Sequence, residues 1–133
     1  MDNKALTKRT PVFIVAFILI SIFIIYFVSA GIVSVTLNSP ANNTWTNDTT
    51  PDFNFTAISN TSSTVNATLF VGGTARGTNT SVVNNTGTVI TSSALSEGTN
   101  QQWYVNVNES GGNSTNSSTF LINVDATNPT STI

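Results

Sequence analysis

Apolar residues are distributed along this chain in two rhythms. Residues 12–28, VFIVAFILISIFIIYFV, have one polar interruption, Ser21. After residue 32 the apolar positions advance in steps of two. The sets are Val33, Val35 and Leu37; Phe53 and Phe55; Val65, Ala67, Leu69 and Val71; Trp103, Val105 and Val107; and Phe120, Ile122 and Val124. Successive side chains of a strand point to opposite faces, so each set marks the inward face of a half-buried strand. Thr88-Val89-Ile90-Thr91 reads as a further short strand, and Val82-Val83 as another strand or part of a loop. Turn-forming residues separate these runs, at Ser39-Pro40-Ala41-Asn42, Gly72-Gly73, Glu97-Gly98 and Ser110-Gly111-Gly112-Asn113. About seven strands without a helical period predict an all-β fold, two antiparallel sheets packed face to face, preceded by one N-terminal hydrophobic helix.

The leading apolar run changes where the rest must be. A hydrocarbon core of about 30 Å needs roughly 20 apolar residues, and Lys4, Lys8 and Arg9 place the leading flank on the cytoplasmic side. Residues 1–11 are thus read as a cytoplasmic flank and 12–32 as a transmembrane helix or a signal peptide. Small residues at Val28-Ser29-Ala30 offer a signal-peptidase site before Gly31, whereas the length of the run approaches that of a true span. Both readings export residues 33–126, the predicted sandwich. Residues 127–133 read as a linker or the start of a further repeat. The expected location is the extracellular face of the cell membrane, or the medium.

Composition excludes several function classes. From Ser34 onward there is one basic residue, Arg76, against five acidic ones, a net of −4. Nucleic acid is therefore not an expected partner, because phosphates demand clustered Lys and Arg. The chain has no histidine and no cysteine, which removes Ser-His and Cys-His nucleophiles, the commonest zinc sets and disulfide staples. Asp48 and Asp52 lie close in sequence, but no feature provides the pocket that would separate their pKa values for acid–base work. They read as solvated turn residues, with a calcium site as the alternative, although the spacing matches no EF-hand loop. Residues 71–77, VGGTARG, lack the lysine of a phosphate-binding loop and read as a hairpin turn. No catalytic residue, cofactor or metal is implied, so the expectation is a protein that is not an enzyme.

Asn, Thr and Ser make up 52 of the 100 residues from Ser34 to the end, and ten positions match Asn-x-Ser/Thr: Asn42, Asn47, Asn54, Asn60, Asn66, Asn79, Asn84, Asn108, Asn113 and Asn116. About six would arise by chance from this composition, so number alone does not decide whether they carry sugar. Phase adds that Asn54, Asn66 and Asn108 sit on outward positions of their strands, with the other seven in apparent turns. The matches are candidate glycosylation sites, or else the incidental product of a polar strand surface. Phe70 and Tyr104 also fall on outward phases and read either as cross-strand packing or as a patch for a protein or carbohydrate ligand.

Four motifs follow one another along residues 33–130: Leu-Asn-Ser-Pro at 37–40, the glycine-then-aromatic approach from Gly98 to Trp103, the Gly112-Asn113 hairpin and Val-Asp-x-Thr-x-Pro at 124–129. In their order and spacing this stretch resembles the immunoglobulin-like repeats of archaeal and bacterial cell-surface proteins. The resemblance implies an immunoglobulin-like β-sandwich with no catalytic residues, serving as a stalk, spacer or adhesion module. Two alternatives stand beside this one. One is a filament subunit assembling by strand addition, in which residues 31–38 would pair outside their own domain. The other is an accessory domain of an exported hydrolase.

Overall fold

The structure, a computed structural model, describes residues 33–109 and 111–127. The predicted helix over 12–32, with its membrane or signal role, lies outside them. Among the described residues nine strands form in chain order: β1 (Val33–Ser39), β2 (Thr44–Thr46), β3 (Asp52–Ser59), β4 (Thr64–Val71), β5 (Thr74–Val83), β6 (Gly87–Thr91), β7 (Gly98–Asn108), β8 (Ser114–Asn116) and β9 (Phe120–Val124). The same residues contain no helix. Seven strands are five residues or longer, and the other two have three residues each.

The strands form two sheets, one ordered β1-β3-β6 and the other β2-β9-β7-β4-β5, with β8 paired to β7. All pairings are antiparallel except one: β2 runs parallel to β9, matching Thr44 with Ile122 and Thr46 with Val124. This departs from the purely antiparallel expectation. The cause is that the chain crosses from the first sheet to the second directly after β1. β2 therefore reaches the edge of the second sheet pointing the same way as the last strand.

The step-of-two rhythm becomes the core. Phe53, Phe55 and Ala57 of β3 face Leu69 and Val71 of β4, Trp103, Val105 and Val107 of β7, and Ile122 of β9 in one buried cluster. Trp103 is 0% exposed. Its ring stands edge-on to Phe53 at 4.7 Å between centroids and to Phe120 at 5.7 Å. The first contact joins the two sheets, and such edge-to-face pairs add to the burial of their area.

β5 extends further than its sequence suggests. Its only buried hydrophobic residue is Val82, and the strand is otherwise held by backbone pairing to β4, from Thr64–Val83 at one end to Val71–Thr74 at the other. The tight turn into it uses Gly72 and Gly73, both at positive φ. Gly77 then lets the strand pass close to β6. A Cβ placed there would lie 2.5 Å from the Ile90 Cγ2 and 3.2 Å from the Thr91 carbonyl oxygen.

Following the pairings, β1 starts and β3 ends at one pole, beside the β5–β6 turn, while β9 ends at the other, beside the starts of β3 and β7. The chain thus enters the sandwich at one pole and leaves at the opposite one.

Two substitutions test this packing. Trp103→Ala should cost about 3–5 kcal/mol, lowering the thermal midpoint measured by circular dichroism; an unchanged midpoint would contradict the core position. Gly77→Ala should cost about 1–3 kcal/mol through crowding against Ile90, with Gly87→Ala, whose nearest neighbour would be the Asn54 Oδ1 at 3.6 Å, as the mild comparison.

Candidate glycosylation sites and surface patches

None of the ten Asn-x-Ser/Thr asparagines is buried. Asn42, Asn47, Asn60, Asn66 and Asn116 are exposed, while Asn54, Asn79, Asn84, Asn108 and Asn113 are half-buried. Asn54, Asn66 and Asn108 lie on outward strand positions as their phase predicts. Asn79 and Asn116, expected in turns, instead lie within β5 and β8. Neither of those strands has an alternating apolar set, which is why the sequence pattern misses them.

Their side-chain amides are used in different ways. Asn47 and Asn66 make no side-chain hydrogen bond among the described residues. Asn42 accepts from the Leu121 backbone at 2.8 Å, Asn79 from the Ser81 backbone at 2.9 Å, Asn54 from Asn38 at 2.7 Å and Asn116 from Asn106 at 2.7 Å, each through Oδ1. These bonds leave the amide nitrogen uncommitted. Three others spend it: Asn108 donates to the Asn106 Oδ1 at 3.0 Å, Asn113 to the Glu109 Oε2 at 3.1 Å and Asn84 to the Ser59 carbonyl at 2.7 Å. Asn84 also accepts from the Ser59 backbone N–H at 2.8 Å, so its amide pairs with one residue at both ends as a neighbouring strand would.

Ser59 is the hub of this pole. Its hydroxyl donates to the Glu109 carboxylate, which also accepts from Thr61 at 3.1 Å and from Asn113. Glu109 is 5% exposed. The end of β3 is thereby fastened to the β5–β6 turn and to the β7–β8 hairpin. The Ser59 hydroxyl is the main reason the Glu109 carboxyl titrates below the usual glutamate range; Asn113 and Thr61 add to the effect, and burial opposes it. Sequence reading counts Glu109 only as one of five acids. Its sole signal is its place immediately after the inward Val107 and outward Asn108, which puts a carboxylate on the inward phase of β7.

Asp48, Asp52 and Asp125 each accept from a threonine. Asp48 accepts from the Thr50 backbone at 2.7 Å, Asp52 from the Thr91 hydroxyl at 2.6 Å and Asp125 from the Thr127 hydroxyl at 2.8 Å. Asp48 and Asp52 therefore serve separate turns and edges. No group of three or more potential metal ligands occurs among the described residues. Arg76 donates from its guanidinium to the Ala94 carbonyl at 3.0 Å.

Phe70 and Tyr104 are directly paired across β4 and β7 on the outer face of the larger sheet, with rings stacked at 5.0 Å and 8° between planes. Both are half-buried. The same face carries Trp45, 61% exposed, which sequence reading does not single out. Its signal is isolation: with Thr44 and Thr46 beside it and no apolar residue two positions away, it belongs to no core face.

The family model for the bacterial Ig-like domain matches residues 34–126, and the chain belongs to that family. Such domains are common in surface and extracellular proteins, so fold and family together define a surface-associated module. No curated protein is similar enough in sequence to count as a relative.

The Ser59–Glu109 cluster makes stability depend on acid. Because the folded-state pKa of Glu109 is depressed, its contribution is present above the unfolded pKa, about 4.3, and is lost as pH falls through the lower folded value. Melting temperatures measured from pH 7 to pH 2 should fall in the acid limb. In Glu109→Gln that limb should flatten, and an identical acid profile for the variant would remove Glu109 from this role.

Proposed function

We propose that this chain is a non-enzymatic extracellular module, a stalk, spacer or adhesion domain, delivered through residues 12–32 and decorated with sugar at a subset of its asparagines. The observation that carries the reading is the placement of the domain's two ends at opposite poles of the sandwich. A domain joined in this way adds its long axis to the distance between whatever is attached at its two ends. Its longest strand, β7 with 11 residues, spans roughly 37 Å. The missing histidine and cysteine, and the engagement of Asp48, Asp52, Glu109 and Asp125 by neighbouring hydroxyls, support a structural role for the carboxylates.

β1 bears on the filament alternative. It pairs with β3 in its own domain, from Val33 with Ser59 to Leu37 with Phe55, so the position a donated strand would take is filled in cis. This favours the self-contained module.

The amide geometry sorts the sugar sites. An N-linked sugar makes a secondary amide, planar and trans, which puts the sugar on the same side as Oδ1. That is the hydrogen Asn84 gives to Ser59. Asn84 should therefore stay bare, while Asn47 and Asn66 are open to modification.

Two measurements on cells that make the chain test the proposal. An antibody raised against residues 33–127 should bind intact, unpermeabilised cells or the cleared medium; signal only after permeabilisation would sink the extracellular reading. Peptide mass spectrometry should find hexose-containing mass increments at Asn47 or Asn66 and none at Asn84, and sugar at Asn84 in folded protein would overturn the sorting.

A further inference from the structure

The outer face of the larger sheet carries a diagonal row of side chains that the core does not use. Trp45 of β2 pairs with Asn123 of β9, and because strands paired in parallel point matched residues the same way, the indole lies on the outward face. Leu121, outward between the inward Phe120 and Ile122, pairs with Gln102 of β7. Two residues beyond Gln102 stands Tyr104, stacked on Phe70 of β4. Asn123 places the row's upper end, since its Oδ1 accepts from the Asn100 backbone at 2.7 Å. Trp45 is thus separated from Tyr104 by roughly four residues along the strands and two strand spacings across, about 16 Å on a flat sheet.

The chemistry of the row is specific. No charged residue occurs anywhere in β2, β4, β7 or β9, and Arg76 of β5 is turned onto the Ala94 carbonyl. Beside the rings lies the exposed Gln102 amide, which can both donate and accept. The apolar part is one narrow row, whereas a stable protein interface needs a broad continuous patch. An uncharged occupant with alternating C–H faces and hydroxyls matches the row: its C–H faces lie on rings that are apolar in body and polar at the tip, and its hydroxyls pair with that amide.

We propose that this diagonal of Trp45, Leu121, Gln102, Tyr104 and Phe70 is a binding surface for an extended neutral polysaccharide. The proposal rests on the surface-module reading and gives it a ligand class. Asn66 and Asn108, paired with each other on β4 and β7, lie toward the opposite pole and leave the row clear even when they carry sugar.

The test uses the full chain, produced in a host without N-glycosylation and kept in a detergent lacking a sugar headgroup. The probes are neutral hexasaccharides of the cello-, xylo-, malto- and chito- series. Trp103 is fully buried, so changes in tryptophan emission report Trp45. At least one probe should shift that emission saturably, and calorimetry should give the same affinity. Trp45→Ala should weaken binding at least tenfold at an unchanged melting temperature, and Tyr104→Ala should weaken it at least tenfold in a protein that still melts cooperatively. Ile58→Ala, an exposed position on the other sheet, should leave binding intact. No saturable binding of any probe, full binding by Trp45→Ala, or tighter binding of a polyanion such as alginate would overturn the proposal. A concentration-dependent dimer abolished by Trp45→Ala would assign the row to a second copy instead. Antibody access to intact cells is independent of all these outcomes, so failure of sugar binding leaves the exported-module reading standing.

Discussion

The edge-on contact of Trp103 with Phe53 is the constraint on which the rest of this sandwich depends. It is where the five-stranded path and the three-stranded sheet touch through their largest buried rings, and Phe120 closes the indole from within its own sheet. Without a disulfide to hold the layers, their separation depends on side chains that fill the gap completely. The indole Nε1 is buried with no partner among the described residues, so the ring serves this position for its volume and shape. Leu and Val could not reach both rings at once. Every outward Asn and Thr then takes the opposite phase of strands whose inward phase is set by this contact.

Polar chemistry holds the ends where apolar packing thins out. At one pole Ser59 bonds through its backbone to Asn84 and through its hydroxyl to Glu109, and at the other Ser92 and Ser93 reach the Pro51 and Arg76 carbonyls. These bonds connect elements far apart in sequence, so their formation requires that the sheets have already met. Each bond contributes modestly, but leaving the Glu109 carboxylate buried without its hydroxyl partners would cost more than making the bonds gains. The pole is for that reason an all-or-none arrangement.

The sequence made most of this fold legible because period two is unambiguous where large apolar residues alternate with Asn and Thr. β1, β3, β4, β7 and β9 all stand where that rhythm places them. β5 was legible only at Val82-Val83, because Thr74 to Ser81 place almost nothing in the core and their strand identity comes from pairing with β4. β2 and β8 are three residues each and exist through neighbours, β9 and β7, that a local pattern does not reveal. The candidate surface sites divide in the same manner. The outward phase of Asn54, Asn66 and Asn108 could be read directly, whereas the engagement of Asn84 depends on a residue 25 positions away.

The scarcity of cations has one more effect. Between residues 33 and 127 the only lysine or arginine is Arg76, and its guanidinium is tied to the Ala94 carbonyl beside the β5–β6 crossing. Proteases that recognise basic residues thus find a single cleavable bond in the whole sandwich, at the bulge of β5 between the Phe70–Ala75 and Leu69–Gly77 pairs. A surface made of amides and hydroxyls gives such enzymes little else to hold, so the composition that makes the domain look nondescript also makes it durable.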